Sequence, residues 1–472
     1  MNQRYKKLFS NIGFLTISNF ASKILIFFLV PIYTAVLTTA EYGDFDVVKT
    51  TISLVIPILS VNIGEAVMRF TLDPENNQRT IISNGFLYIL AAILFGAIFS
   101  ICQYLFSFIS ILKGFELPVF LYFSFVLLES YMTQTAKGLN KVKIMGVIGL
   151  IETILMVALN LLFLLYFKLG LLGFYWANSI ALASSSLLYF FLLKLWKYLE
   201  FGINKELNKK MVMYSLPLVL TAVGWTLNSS IDKYSVTFFL GNSANGLLAI
   251  AYKIPNVLDA VKTIFIQAWQ ISAVTEFDAS DKVKFYSNMF LFVNFGISIS
   301  AAILILLTNP LAMLLFKKDF YEAWAYVPLL IVSVTINSMA GYLGPILSAQ
   351  YKSKSMALSA IFGIIINIIA DIVLIQLFGV HGAIIATLLS SLVIFIVRRI
   401  AVGKMIDTKK EIIVYISWLL LVLMACIQIW VNLWYLVAIP LFIILLINSQ
   451  SIKQVFARIR LKVKAKEDNI ND

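Results

Sequence analysis

The chain has 472 residues, of which 61% are hydrophobic and 13% are charged. Soluble domains carry about a quarter charged residues, so this composition excludes a set of soluble domains and implies a polytopic membrane protein. The net charge of +13, from 37 Lys+Arg against 24 Asp+Glu, is read as cation-rich cytoplasmic connections rather than as a nucleic-acid surface. One histidine, His381, and two cysteines, Cys102 and Cys426 within apolar runs, leave no donors for a zinc, haem or iron–sulfur site and no disulfide framework.

A helix needs about 20 apolar residues to cross the hydrocarbon of a bilayer. Fourteen stretches qualify along the chain. The first seven are 10–37, 47–70, 81–106, 117–136, 144–167, 171–193 and 214–240. The others are 247–274, 289–308, 326–350, 356–378, 380–397, 412–430 and 433–448. They are too long and too uniformly apolar for barrel strands. The first begins like a signal peptide, with Arg4, Lys6 and Lys7 ahead of an apolar run. It is too long, contains Lys23 and lacks a small-residue cleavage site, so it is kept as a span.

The cations gather on alternate connections: Lys137, Lys141 and Lys143, then 194–210, 398–410 and the tail 453–466. This bias predicts cytoplasmic N- and C-termini. The connections are short, the longest outer one being 309–325, so no extramembrane catalytic domain is expected.

A repeat is visible in the order of small motifs. Gly43 answers Gly246; Asn84-Gly85-Phe86-Leu87 answers Asn288-Met289-Phe290-Leu291; Lys141-x-Lys143-x-Met145 answers Lys352-x-Lys354-x-Met356; Gly170-x-x-Gly173 answers Gly379-x-x-Gly382. The offsets are 203, 204, 211 and 209. Six spans fill one period, so both copies have the same orientation. The expected fold is therefore all-α: two six-helix lobes in parallel pseudo-two-fold repeat plus two extra C-terminal helices. Such repeats typify transporters, with the substrate at the repeat interface. The expected division is an N-lobe 1–195 (spans 1–6), a cytoplasmic linker 196–213, a C-lobe 214–400 (spans 7–12), spans 13 and 14 over 401–448, and a basic cytoplasmic tail 449–472.

Ionisable groups at membrane depth are costly, and each is a candidate for function. Lys23 stands several turns into span 1 with no acid within a turn, and reads as a cavity cation. Lys49 and Lys253 occupy matching places in the two repeats; they either face a central cleft or snorkel to the interface. Glu65 with Arg69 (i, i+4) and Asp259 with Lys262 (i, i+3) are spaced to neutralise each other along one helix, although Arg69 and Lys262 also qualify as cleft cations. Asp232 on span 7, Asn367 and Asp371 (i, i+4) on span 11 and Thr387 on span 12 are hard oxygen donors. They suit Na⁺ or a proton rather than a transition metal. On spacing alone, interhelical hydrogen bonding is the stronger reading. Seven prolines, Pro31, Pro57, Pro217, Pro255, Pro328, Pro345 and Pro440, fall within spans and predict bends. Trp418, Trp430 and Trp434 are expected as interfacial anchors.

The chain resembles the polysaccharide (O-unit) flippases of the multidrug/oligosaccharidyl-lipid/polysaccharide exporter superfamily. The residues that carry the likeness are Ser22-Lys23, Thr39-Ala40-Glu41-Tyr42-Gly43-Asp44-Phe45, Gly64-Glu65-Ala66-Val67-Met68-Arg69-Phe70, Ser215-Leu216-Pro217, Asp232-Lys233 and Tyr252-Lys253-Ile254-Pro255. The resemblance implies a V-shaped pair of lobes and no enzymatic activity. It further implies translocation of undecaprenyl-pyrophosphate-linked oligosaccharide from the cytoplasmic to the outer leaflet of a bacterial inner membrane. Lys23 matches the span 1 cation with which related lipid II flippases hold pyrophosphate. Lys49, Lys253, Lys262 and Arg69 complete the expected substrate-binding set. Asp232, Asn367, Asp371 and Thr387 look like the Na⁺ site of some of those flippases. The coupling ion, if one is used, is Na⁺ or H⁺. Membrane lipid, a polysaccharide polymerase and a chain-length regulator are the implied partners, and nucleic acid is not one.

Three other functions remain open on sequence alone, one of them a pure scaffold for the polysaccharide machinery. A cation-coupled drug or small-molecule antiporter of the same superfamily would favour acids where Lys23 stands. A membrane polymerase or ligase would carry a large outer loop with arginine or histidine, which this chain lacks.

Overall fold

The computed structural model describes residues 20–447 except 74, 201–203, 276, 278–279 and 432. The part of the first expected span before residue 20, and the basic tail, lie outside the described residues. Helix dominates and no strand occurs among the described residues, as lipid demands: a backbone without water must satisfy its polar groups within the segment. We number the helices α1 (Phe20–Val36), α2 (Thr39–Leu59), α3 (Ile63–Thr71), α4 (Gln78–Phe106), α5 (Glu116–Gly138), α6 (Val142–Asn160), α7 (Gly170–Leu192) and α8 (Lys205–Leu240). They continue with α9 (Asn242–Ala251), α10 (Pro255–Thr275), α11 (Lys282–Leu306), α12 (Thr308–Leu315), α13 (Val327–Ala349), α14 (Ser353–Phe378), α15 (Val380–Val402), α16 (Thr408–Trp430) and α17 (Trp434–Ile447).

Each of the fourteen expected spans is mostly helical over its described residues, with turns at 29 in the first, 60–62 in the second and 252–254 in the eighth. Among the described residues, nine helices are by themselves long and apolar enough to cross a membrane, and ten when α2 and α3 count as one bent span. That bend is 58°. Pro57 lies inside α2, but the break comes later, where Val61 and Asn62 both adopt left-handed backbone (φ 53° and 48°). Of the seven prolines expected to bend spans, Pro57, Pro217, Pro345 and Pro440 do lie inside helices. Pro31 follows a one-residue break at Leu29 within α1 and opens its second segment, Val30–Val36; Pro255 and Pro328 stand at helix beginnings, where the missing N–H costs nothing. Starts are fixed by polar caps. Thr38 and Glu41 form a reciprocal capping box on α2, and Asn204 caps α8 through Leu207 N–H at 3.0 Å.

The chain divides into two compact units. The first comprises residues 1–237, 241–246 and 317–319; the second comprises 238–240, 247–316 and 320–472. In the first unit, α5 packs against α3, α4 and α7, and α6 packs on α7. Its core is aromatic: Phe174 lies edge-on to Tyr33 at 4.6 Å and to Phe45 at 4.3 Å, with Tyr122 and Tyr175 alongside.

The second unit is built around α13, whose span is buried over most of its length and touches α10, α11, α15 and α16. Trp269 stacks on Tyr342 at 4.7 Å and donates to its carbonyl oxygen at 3.0 Å. Although α16 and α17 lie outside the repeat, α16 is part of this core. Trp418 is only 5% exposed, meets Phe395 edge-on at 4.8 Å and donates to Asn294 Oδ1 at 3.2 Å. Its expected role as an interfacial anchor is therefore corrected: it sits mid-helix, where its indole N–H has a buried acceptor. Trp430 is exposed at the end of α16, as an anchor would be; the side chain of Trp434 lies outside the described set.

Arg398 and Arg399 also differ from the sequence reading, which counted them with the loop 398–410. Both are in α15. Arg398 is buried and donates to Ser359 Oγ at 3.0 Å and to the Ala340 carbonyl at 2.9 Å, tying α15 to α14 and α13. Arg399 forms an ion pair with Glu411, tying α15 to α16.

Candidate functional site: in-membrane cations, a polar hairpin and a helix crossing

Five cations were expected to bind substrate. Lys23 is on α1, exposed, and makes no ion pair or hydrogen bond among the described residues. Its neighbour Ser22 accepts a hydrogen bond from Thr153 of α6 at 2.9 Å, which fixes this stretch of α1 against the first unit. Lys49 is exposed on α2 and Lys253 half-buried just before α10. Lys262, on α10, is ion-paired with Asp259 and lies 3.5 Å from Asn337 Oδ1 of α13. Arg69 is exposed on α3. The spacing rule holds for Asp259 and Lys262 but not for Glu65 and Arg69. Glu65 instead accepts from Gln134 Nε2 of α5 at 2.5 Å, and Arg69 has no ion pair among the described residues.

Three of the four expected ion ligands share one helical hairpin. Gly379, with φ +59°, turns the chain from α14 into α15. Just beyond it, any side chain at Gly382 would overlap the Leu374 carbonyl, so the two helices touch backbone to backbone. Farther along, Ser390 Oγ donates to the Gly363 carbonyl at 2.9 Å. Thr387 falls between these two contacts, opposite the stretch that carries Asn367 and Asp371. Asp371 is wholly buried and Asn367 nearly so. Thr387 Oγ1 donates to the Ala383 carbonyl at 3.0 Å. Asp232, the fourth, is buried on α8 and belongs to the other unit.

Sequence reading did not find the polar seam along α2. Thr39 and Ser243 hydroxyls lie 2.6 Å apart, and Asn245 Nδ2 donates to the Gly43 carbonyl at 3.2 Å. Lys233 Nζ bonds Asp46 at 2.9 Å, with both side chains largely buried, and Tyr234 meets Thr51 at 3.0 Å. The seam therefore links α2 to α8 and α9 within the first unit. Gly43 and Gly246 lie at its crossing, and a Cβ on either would overlap backbone of the other helix. The repeat had marked these two glycines as equivalents; nothing in it showed that they meet. Asp46, three residues past Gly43, was the available signal for a partner to Lys233.

The fold is that of known transporters. Lipid II flippase MurJ, in an inward closed conformation, superposes with a TM-score of 0.71 at 15% identity, over 95% of this chain and 99% of that one. An inward-facing multidrug resistance MATE family transporter superposes with a TM-score of 0.66 at 12% identity, over 83% and 95%. A multidrug/oligosaccharidyl-lipid/polysaccharide superfamily transporter from Pyrococcus furiosus, described as having reversed polarity of its binding pocket, gives 0.55 at 14% identity, over 84% and 96%. Among curated proteins no sequence matches. The sequence profile of the polysaccharide biosynthesis protein family matches residues 8–270, more than half of the length. The seam, the in-membrane lysines and the bent second span all lie within or beside that matched segment, and the chain belongs to the polysaccharide biosynthesis protein family.

Proposed function

We propose that this protein is a flippase that moves undecaprenyl-pyrophosphate-linked oligosaccharide from the cytoplasmic to the outer leaflet of a bacterial inner membrane. The family supports a role in polysaccharide assembly, and the fold is one that serves a lipid II flippase and drug transporters alike. The observation that carries the choice of an anionic lipid-linked substrate is Lys23. It is an exposed cation on an otherwise apolar span, with no carboxylate partner among the described residues. A lysine so placed is costly unless water or an anion reaches it.

Carrying a pyrophosphate and sugars through hydrocarbon requires offsetting the phosphate charge while the polyprenyl tail stays in lipid. Lys23 and Lys253 serve this role in the proposal, with Lys49, Lys262 and Arg69 contributing. Lysine acts here as a mobile point charge rather than a rigid fork, which suits release as well as capture. Lys262 is already engaged by Asp259 and Asn337, so its contribution requires that pair to loosen.

Asn367, Asp371 and Thr387 offer hard oxygen donors on one hairpin, and such donors fit Na⁺ or H⁺ as the coupling ion. The ion would bias the conformational equilibrium only through different affinities in the two states. A polymerase and a chain-length regulator would receive the exported product.

Replacing the flippase of a strain of known surface glycan with this chain tests the proposal. Restored surface polysaccharide, lost again in Lys23→Gln at equal membrane abundance, supports it. Purified protein in vesicles that leaves a labelled polyprenyl-linked glycan in its original leaflet rejects it.

A further inference from the structure

We propose that the first unit holds a phospholipid with a primary ammonium headgroup, its acyl chain inserted between α2, α4 and α5 and its ammonium held by Glu116. A cavity of about 470 Å³ opens there, within the usual range of small-molecule pockets. Ile52 and Val55 of α2, Phe95 and Phe99 of α4 and Phe123 of α5 line it. Gly96 forms part of its wall, because a Cβ there would press on the Phe123 ring at 2.6 Å. From Phe95 to Gln103 the cavity extends about 12 Å along α4, at 1.5 Å per residue. Phe95 and Phe99 are themselves exposed on α4, a helix long and apolar enough to cross a membrane, and an apolar opening in such a helix suits acyl chains rather than water. An empty apolar space costs its lining the dispersion contacts that a chain would restore.

The polar groups at the rim decide which lipid. Four of them line the cavity: Thr51, Ser100, Gln103 and Glu116. Three are engaged within the protein. Thr51 bonds the Val47 carbonyl and Tyr234, and Ser100 donates to the Glu116 carbonyl at 3.1 Å. Gln103 both donates to and accepts from the Ile109 backbone, at 2.7 and 3.0 Å. The Glu116 carboxylate alone has no hydrogen bond or ion pair among the described residues. Lys113, three residues earlier, does not pair with it among them either.

Glu116 opens α5 immediately after the α4–α5 connection, so it stands at the end of the hairpin, where headgroups lie, while the cavity runs inward from it. A carboxylate at that place repels phosphate and attracts an ammonium. A primary ammonium can donate charge-assisted hydrogen bonds to it; a quaternary one cannot. The undecaprenyl pyrophosphate of the proposed substrate is thus disfavoured here, and this site stands or falls independently of the flippase reading.

The test is lipid retention by the purified full chain, read by native mass spectrometry after exchange into equimolar phosphatidylethanolamine, phosphatidylcholine and phosphatidylglycerol. The expected result is a several-fold excess of retained phosphatidylethanolamine. Glu116→Gln, which keeps size and helix start, should bring the three lipids to parity, and Val55→Phe, which fills the cavity, should remove retention of all three. Thermal unfolding in detergent monitors folding of each variant. No preference in the parent chain, or a preference that survives Glu116→Gln, overturns the headgroup assignment. Undiminished retention in a folded Val55→Phe protein overturns the cavity.

Discussion

Gly43 and Gly246 meet reciprocally: a Cβ on Gly43 would overlap the Asn242 carbonyl of α9, and one on Gly246 would overlap the Thr39 carbonyl of α2. The same four-residue interval, Thr39 to Gly43 and Asn242 to Gly246, appears on both helices at repeat-equivalent positions. Small residues at such intervals let helix backbones approach closely in lipid, where association depends on packing rather than on the hydrophobic effect. Alanine at either glycine should cost about 1–3 kcal/mol by overpacking. The double variant should cost less than the sum, since one displacement of the helices relieves both clashes. Thermal unfolding in detergent measures both; additive losses would mean that the glycines do not share a crossing.

The hydroxyls of Thr39 and Ser243 are 2.6 Å apart at the same crossing. Cysteines at both positions should therefore oxidise readily to a disulfide. If α2 must part from α9 during transport, the oxidised double variant should lose polysaccharide export and regain it with reductant. A cross-linked protein that exports at the parent rate would show that the crossing is a fixed joint.

The Asp46–Lys233 pair is next along the seam, with side chains 13% and 21% exposed. Removing one partner leaves a poorly hydrated charge, and fully buried pairs lose about 3–5 kcal/mol this way. Here residual exposure should reduce the loss to about 2 kcal/mol for Asp46→Asn or for Lys233→Gln. The double variant should recover part of it, because no lone charge remains. A double-mutant cycle in unfolding free energy with no coupling would remove the pair from the list of stabilising contacts.

These contacts mark how far the sequence could be read. Span positions were legible because hydropathy is collective: many apolar residues must agree before a helix fits a bilayer, and single exceptions such as Lys23 do not erase the signal. The pairing of Asn367 with Asp371 on one face was legible because helical spacing is local. What the sequence hid is long-range or depends on depth. Lys233 and Asp46 are 187 residues apart, and nothing in either neighbourhood names the other. Glu65 and Arg69 had ideal spacing, yet Gln134 of another helix holds Glu65. Arg398 counted toward a loop because it adjoins Arg399 and Lys404, whereas the fold buries it beneath Ser359 and Ala340. Trp418 was misplaced for the same reason, since an apolar run does not show which of its residues faces inward.

Trp418 offers a stability test of the second unit. Its ring is packed against Phe395 and its N–H is bonded to Asn294. Truncation to alanine should cost about 3–5 kcal/mol, as for other buried aromatic residues. Phenylalanine, which keeps much of the packing and leaves Asn294 Oδ1 with Ser298 Oγ as its donor, should cost less, about 1 kcal/mol. Equal losses for the two variants would mean that the hydrogen bond, not the ring, carries the contribution.

The proposed coupling ion can be tested at Asp371, which is wholly buried on α14 opposite the Thr387 region of α15. Glycan transport into vesicles should rise with Na⁺ at fixed pH, or with a pH gradient at fixed Na⁺, depending on which ion is used. Asp371→Asn preserves shape and hydrogen-bonding capacity but removes the charge that offsets a bound cation. It should flatten that dependence and lower the rate at saturating substrate, with little change in unfolding temperature. Thr387→Val should weaken the apparent ion affinity by a smaller factor, since it removes one neutral donor of several. Parent protein that transports equally with neither Na⁺ nor a proton gradient would reduce the hairpin to a structural element: its oxygens would then serve only to join α14 to α15, and Asp371→Asn would register in stability rather than in rate.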